Sequence, residues 1–261
     1  MTRKIIFFDI DGTIWDRNND IPESTIRTIR ELRKNGHLVF ICSGRGRAYI
    51  RNRKLLDIGF DGIVSGCATM IEYHGQTLFY KELDKELVAD TIDLVRSYRF
   101  RPILEGRNYL YFDLPDFQGD AYGQKLIREL EDRLKPISEN WKQWECSKFS
   151  CAMEEEDHTE CFEKLSGNFD IIVHSPVVAE MVPKGFHKGL GITKTCQLLG
   201  IDVKDSYAFG DSANDLEMIQ TAGAGVAMGN GCEELKAAAD FVTRDLKADG
   251  VEYACRELGL M

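Results

Sequence analysis

The sequence predicts an α/β protein, a doubly wound parallel sheet with an inserted α+β cap domain. At both ends of the chain, short runs that are apolar on both faces alternate with helical patterns. Such runs belong to parallel strands covered on each side by crossover helices. Between those ends the pattern changes to paired strands and short helices rich in aromatic and acidic residues. The length, 261 residues, suits one large or two medium domains with a sizeable core.

The elements follow in order. Residues 4–8 form the first strand, 22–35 a helix, 37–42 a strand, 46–57 a second helix and 62–65 a short third strand. Residues 71–73 and 77–80 flank His74-Gly75-Gln76 and read as a hairpin. The insertion then supplies a helix over 84–98, strands over 102–105 and 109–114, a helix near 122–134, a strand over 148–153, a short helix after Asp157 and a strand over 169–174. The first pattern resumes with a helix over 188–199, a strand over 206–209, a helix over 214–220 and a strand over 225–228. A helix over 233–239, a strand over 241–243 and a helix over 250–258 complete it. One core domain, residues 1–81 and 184–261, is thus expected to be split by a cap over 82–183.

Composition narrows the function classes. A charged fraction of 29% and a hydrophobic fraction of 43% describe an ordinary globular chain. No apolar run nears the ~20 residues of a membrane span, and Met1-Thr2-Arg3-Lys4 leads directly into a strand rather than a signal peptide. A cytoplasmic location without membrane partners is expected, and the oligomeric state is not legible. The net charge of -10 argues against nucleic acid, because phosphate neutralisation requires a basic face. The eight cysteines contain no Cys-x-x-Cys pair and read as buried free thiols.

The chemistry begins at the end of the first strand. Ile5-Ile6-Phe7-Phe8 runs into Asp9-Ile10-Asp11-Gly12-Thr13, which places two carboxylates two positions apart where a buried strand ends. Carboxylates there are costly to desolvate without a cation or donor, and two of them repel, so a divalent metal is the natural third party. This layout suits a nucleophile and an acid/base partner sharing one site. An isolated Asp-x-Asp-Gly is equally the signature of a turn, and the choice depends on the rest of the chain.

Three further pieces answer it. Ser43-Gly44-Arg45 follows the second strand, offering a hydroxyl and an amide to phosphate oxygens or a cap to the next helix. Gly210-Asp211-Ser212-Ala213-Asn214-Asp215 follows another buried strand. If their strands are neighbours, Asp9, Asp11, Asp211 and Asp215 make an all-oxygen cluster of the kind Mg²⁺ prefers; otherwise the last two simply cap a helix. Lys188 opens a helix, where the dipole disfavours a cation unless an anion meets it.

With these pieces in this order the sequence resembles the haloacid dehalogenase superfamily of phosphoryl-transfer enzymes. Its four motifs match Asp9 to Thr13, Ser43, Lys188 and Gly210 to Asp215. More narrowly it resembles the Cof-type phosphatases, which carry a large α/β cap. Ser43-Gly44-Arg45 stands for that group's Thr-Gly-Arg, and Gly225-Val226-Ala227-Met228-Gly229-Asn230 and Asp249-Gly250-Val251 match as well. Ser65-Gly66-Cys67 departs from the group's Asn-Gly-Ala. The resemblance implies that Asp9 is the nucleophile and Asp11 the acid/base. It implies Mg²⁺ held through Asp9, the Asp11 carbonyl and Asp211, with Asp215 either direct or through water, and a phosphoryl group held by Ser43, Gly44, Lys188 and Asn214. The substrate would be a small phosphorylated metabolite such as a sugar or cofactor phosphate. A phosphomutase or a non-enzymatic phosphometabolite-binding regulator could use the same core, but four intact motifs favour the hydrolase.

Overall fold

The computed structural model describes residues 3–261, so Met1 and Thr2, part of the leaderless start expected above, lie outside it. The chain starts with β1 (Ile5–Phe8), fully buried, followed by α1 (Glu23–Lys34) and β2 (Leu38–Cys42). The helix expected over 46–57 does not form. A 3₁₀ turn spans Arg47–Tyr49, and α2 (Arg53–Leu56) starts afresh where the Asn52 side chain accepts from the Lys54 amide. Asn52 thereby caps a new helix instead of continuing an old one. Next come β3 (Gly62–Ser65), β4 (Met70–Tyr73) and β5 (Gln76–Tyr80), the last two joined by His74 and Gly75 at φ 47° and 75°. Paired positive φ values are those of the tight hairpin turn expected there.

The inserted segment supplies α3 (Lys85–Ser97), β6 (Arg101–Glu105), β7 (Leu110–Tyr111), α4 (Ala121–Leu130), β8 (Leu134–Lys135), β9 (Lys148–Ala152), α5 (Thr159–Leu165), β10 (Phe169–Ser175) and β11 (Val178–Pro183). The expected strand over 109–114 is short because a 3₁₀ turn, with Pro115 in its first turn, occupies Leu114–Phe117. Strand β11 was not among the expected elements. The chain closes with α6 (Lys188–Leu199), β12 (Ser206–Gly210), α7 (Leu216–Thr221), β13 (Ala224–Ala227), α8 (Glu233–Ala238), β14 (Phe241–Val242) and α9 (Gly250–Glu257).

Two compact units result. The first holds the chain through residue 44, residues 51–79 and residues 187–261; the second holds residues 45–50 and 80–186. In the first, one sheet has the order β14-β13-β12-β1-β2-β3-β4-β5, parallel from β14 to β3. β4 turns back antiparallel on β3. Strand β1 lies between β2 and β12, so the winding reverses beside it. A crevice at the carboxyl ends of the strands, at such a reversal, is where open α/β sheets bind ligands.

In the second unit the order is β10-β11-β9-β6-β7-β8, antiparallel except for the β7–β8 pair. Alternate residues serve opposite faces. Leu104, Phe149, Cys151 and Met181 pack with Val88, Ile92 and Val95 of α3. Ile103, Phe112 and Ala152 pack with Leu126 and Leu130 of α4, and Ala48 joins them. Residues 45–50 belong here because Ala48 is buried in that cluster and the Gly46 amide donates to Glu105 Oε2 at 2.8 Å. Lys148, fully buried, pairs with Glu180 at 2.6 Å and Glu105 at 3.5 Å. All eight cysteines are free, and only Cys232 is exposed.

Candidate active site

The site is assembled at the carboxyl edge of the first unit's sheet. The Asp9 amide donates to the Phe209 carbonyl at 2.9 Å, so β1 delivers its aspartate beside the end of β12. The chain then turns: Ile14 and Trp15 donate to the Ile10 carbonyl, and Gly12 donates to the Trp15 carbonyl at 2.8 Å. Gly12 has φ +81°, and a Cβ built on it would stand 2.1 Å from Asp211 Oδ2. Glycine is required there twice, for its backbone conformation and for the space Asp211 occupies.

Lys188 arrives from the first position of α6. Gly191 lets that helix approach β3, since a Cβ there would meet Val64 at 2.6 Å. The His187 side chain caps the helix by accepting from the Leu190 amide. Lys188 is buried, and its Nζ donates to Asp9 Oδ1 at 2.7 Å, Asp215 Oδ1 at 2.6 Å and Asn214 Oδ1 at 3.3 Å. The apparent conflict with the helix dipole is resolved by these two carboxylates.

Asp215 is buried and engaged on both oxygens. Oδ2 accepts from the Asp211 amide at 3.0 Å and the Ser212 amide at 3.1 Å, while Oδ1 faces Lys188. Asn214 Oδ1 accepts from Ser212 Oγ at 2.8 Å. The loop after β12 is therefore a helix cap, and it also pins Lys188. Ser43 and Gly44 are buried at the end of β2, at the same sheet edge. The Ser43 amide donates to the Val64 carbonyl at 2.9 Å. No helix starts at Ser43; the 3₁₀ turn that follows is entered from Gly46.

Asp11 behaves differently from its neighbour. It is exposed, and its Oδ1 accepts from the Trp15 indole Nε1 at 2.9 Å. The carboxylates that converge are those of Asp9, Asp211 and Asp215, each offering an oxygen within 4.8 Å of the others. The Asp11 carboxylate is not in that group. Trp15 carried no sequence signal beyond its place four residues after Asp11.

Electrostatics follow from burial. Desolvation pushes Asp9 up to about 8, with the charges of Asp215 and Asp11 adding to it and Lys188 opposing it. Asp211 is pushed up to about 7 by burial and by Asp215. Burial alone would lower the Lys188 ammonium, but Asp215 and Asp9 outweigh it and hold it well above its ordinary value. The carboxylates thus outnumber the cation that meets them. Among the described residues Asp211 Oδ1 is buried with no hydrogen-bond partner, an orphan that is costly unless something meets it. All donors are hard oxygens, so the residues fit a divalent cation of the Mg²⁺ type.

Comparison with known proteins identifies the family. The haloacid dehalogenase-like hydrolase family model matches residues 6–255. The chain is 33% identical to YkrA of Bacillus subtilis (strain 168) over the whole of both chains. It is 28% identical to 5-amino-6-(5-phospho-D-ribitylamino)uracil phosphatase YitU of the same organism, over 97% of this chain and 96% of that one. Among solved structures, the haloacid dehalogenase subclass IIB sugar phosphatase BT4131 superposes with a TM-score of 0.82 at 25% identity, over 99% of this chain and 100% of that one. The chain belongs to the haloacid dehalogenase-like hydrolase family, among its Cof-type phosphatases with an inserted α/β cap.

Proposed function

We propose that this protein is a Mg²⁺-dependent phosphatase that hydrolyses a small phosphorylated metabolite through an aspartyl-phosphate on Asp9. The observation that carries the reading is the convergence of Asp9, Asp211 and Asp215 around Lys188, with one Asp211 oxygen left unmatched. The names of YitU and BT4131 support a sugar or polyol phosphate as substrate. The free thiols suit a reducing compartment, and we place the enzyme in the cytoplasm.

In this reading the Asp9 and Asp211 carboxylates and the Asp11 backbone carbonyl hold the metal, while Asp215 acts through Lys188 and the Asp211 loop, since both its oxygens are engaged. Bound Mg²⁺ would neutralise charge so that an anionic nucleophile can meet an anionic phosphoryl group. Asp9 attacks phosphorus, and the ester oxygen leaves with a proton from Asp11. Asp11 then takes a proton from water as that water attacks the aspartyl-phosphate, which releases inorganic phosphate and restores Asp9. The indole N–H of Trp15 orients the Asp11 carboxylate for both transfers. Ser43, Gly44, Lys188 and Asn214 hold the transferred group, by positioning and charge rather than by covalent chemistry.

The test compares wild type with Asp9→Asn on an aryl phosphate, with Mg²⁺ and with chelator, followed by a panel of phosphorylated metabolites. Turnover is expected only in wild type with Mg²⁺, with one inorganic phosphate released per ester consumed. Substantial turnover by Asp9→Asn or in chelator would overturn the mechanism.

A further inference from the structure

The motif Gly229-Asn230 lies after β13 and has no part in the chemistry above. Asn230 Nδ2 donates to the Gly12 carbonyl at 2.9 Å, and its Oδ1 accepts from the Leu246 amide at 2.7 Å. One side chain thus joins the aspartate loop, 218 residues away in sequence, to the turn after β14. That turn is itself fixed. The Asp245 carbonyl accepts from Ala248 at 2.9 Å and Gly250 at 3.1 Å, and a Cβ on Gly229 would meet Asp245 Oδ1 at 2.5 Å. On its other side the Asn230 loop grips Asp211: the Cys232 amide donates to the Asp211 carbonyl at 2.8 Å, and a Cβ on Gly231 would stand 3.0 Å from that carbonyl. A second tie runs parallel, because Lys247 pairs with Asp16 at 2.6 Å. These ties border a cleft of about 500 Å³ lined by Gly12, Asp16, Asp211, Asn230, Leu246 and Lys247.

We propose that Asn230 is a positioning residue for the acidic cluster: it fixes the Gly12 carbonyl, and through it the fit of Gly12 against Asp211. Gly12 and Asp211 are close enough that a side-chain carbon could not pass between them, so rotation of the Gly12 peptide alters the space that sets the Asp211 carboxylate. Asn230 is exposed, so its contribution to burial is small. Its effect is therefore directional, carried by two hydrogen bonds to backbone groups. The inference rests on the metal-dependent reading above.

The test uses Asn230→Ala and Asn230→Leu in the full chain, the second keeping volume while losing both bonds. Calorimetric Mg²⁺ titration of substrate-free protein is expected to show binding weakened about fivefold in both, the equivalent of one net hydrogen bond of about 1 kcal/mol. The kcat should fall by a similar factor with KM unchanged. Amide exchange should quicken at Leu246 and Gly12 while protection of β1 and β12 persists. Mg²⁺ affinity and kcat within twofold of wild type in both variants would overturn the proposal. Loss of affinity accompanied by deprotection of β1 and β12 would overturn it too, as a general loss of structure. If wild type hydrolyses no phosphate ester, the proposed activity fails, and the Mg²⁺ and exchange comparisons still decide the role of Asn230.

Discussion

Replacing Gly12 by alanine tests whether the placement of Asp211 governs catalysis. The added Cβ would lie 2.1 Å from Asp211 Oδ2 and 2.5 Å from its Cγ. Ordinary contact begins near 3.4 Å, so the carboxylate must retreat by about 1.3 Å or the loop must open by as much. A displacement of that size at a catalytic group costs about a hundredfold in rate. The left-handed backbone at φ +81° adds strain of about 1–2 kcal/mol for an alanine. Gly75→Ala supplies the control. Its φ is +75°, yet nothing lies within 4 Å of the Cβ position, so it carries similar strain without the collision. Both variants should lose about 2–4 °C in Tm per kcal/mol of strain. Only Gly12→Ala should lose about two orders of magnitude in kcat/KM and bind Mg²⁺ more weakly by calorimetry. Equal activity in the two variants would refute the reasoning, because strain would then be the whole effect.

Two other outcomes follow from buried charges. Lys188→Met leaves Asp9 and Asp215 buried without their cation, which costs about 3–5 kcal/mol and abolishes turnover. Lys188 opposes the rise that burial imposes on Asp9, so its removal raises that carboxyl further, and the metal-free variant should regain stability as pH falls from 8 to 6, which thermal unfolding at the two values measures. In the inserted unit, burial would raise Glu180, but Lys148 and His174 outweigh it and bring it down to about 2. A depressed carboxylate contributes stability above its unfolded value, near 4.5, and loses it as pH falls through the folded one. Glu180→Gln should therefore be less stable than wild type at pH 7, by an amount on the order of 3 kcal/mol, and the two denaturation curves should converge as pH approaches 2.

The parts of the fold that were legible share a local cause. Four fully buried apolar residues before Asp9, the His74-Gly75 turn, and a helix bounded by Lys188 and by Gly200 in the left-handed conformation each carry their signal within a few residues. The misreadings have long-range causes. Residues 46–57 look helical, but Gly46 gives its amide to Glu105, 59 residues away, and Tyr49 donates to Glu129, 80 residues away. Strand β11 follows Pro176, ends on Pro183 and contains Glu180, features that suggest a loop. It becomes a central strand because β9 and β10 pair with it on either side and Lys148 neutralises its glutamate.

For the candidate site, residue type and order were enough to pick out Asp9, Lys188, Asp211, Asn214 and Asp215, which the structure brings together. Aspartates at the ends of buried strands, a lysine at a helix start and a hydroxyl before a glycine have few other uses in combination, which is why the sequence suggests the proposed chemistry. Their different surroundings were decided by tertiary structure. Asp9 and Asp11 are two residues apart, yet one is buried against Lys188 and the other turns outward to Trp15. Asp211 and Asp215 both look like ligands, but Asp215 spends its oxygens on Lys188 and the loop amides while Asp211 keeps one unmatched. Hydrogen-bond satisfaction makes that distinction: Asp215 is met by its own loop and by Lys188, 27 residues away, and the same lysine reaches Asp9, 179 residues away, because β12 pairs with β1.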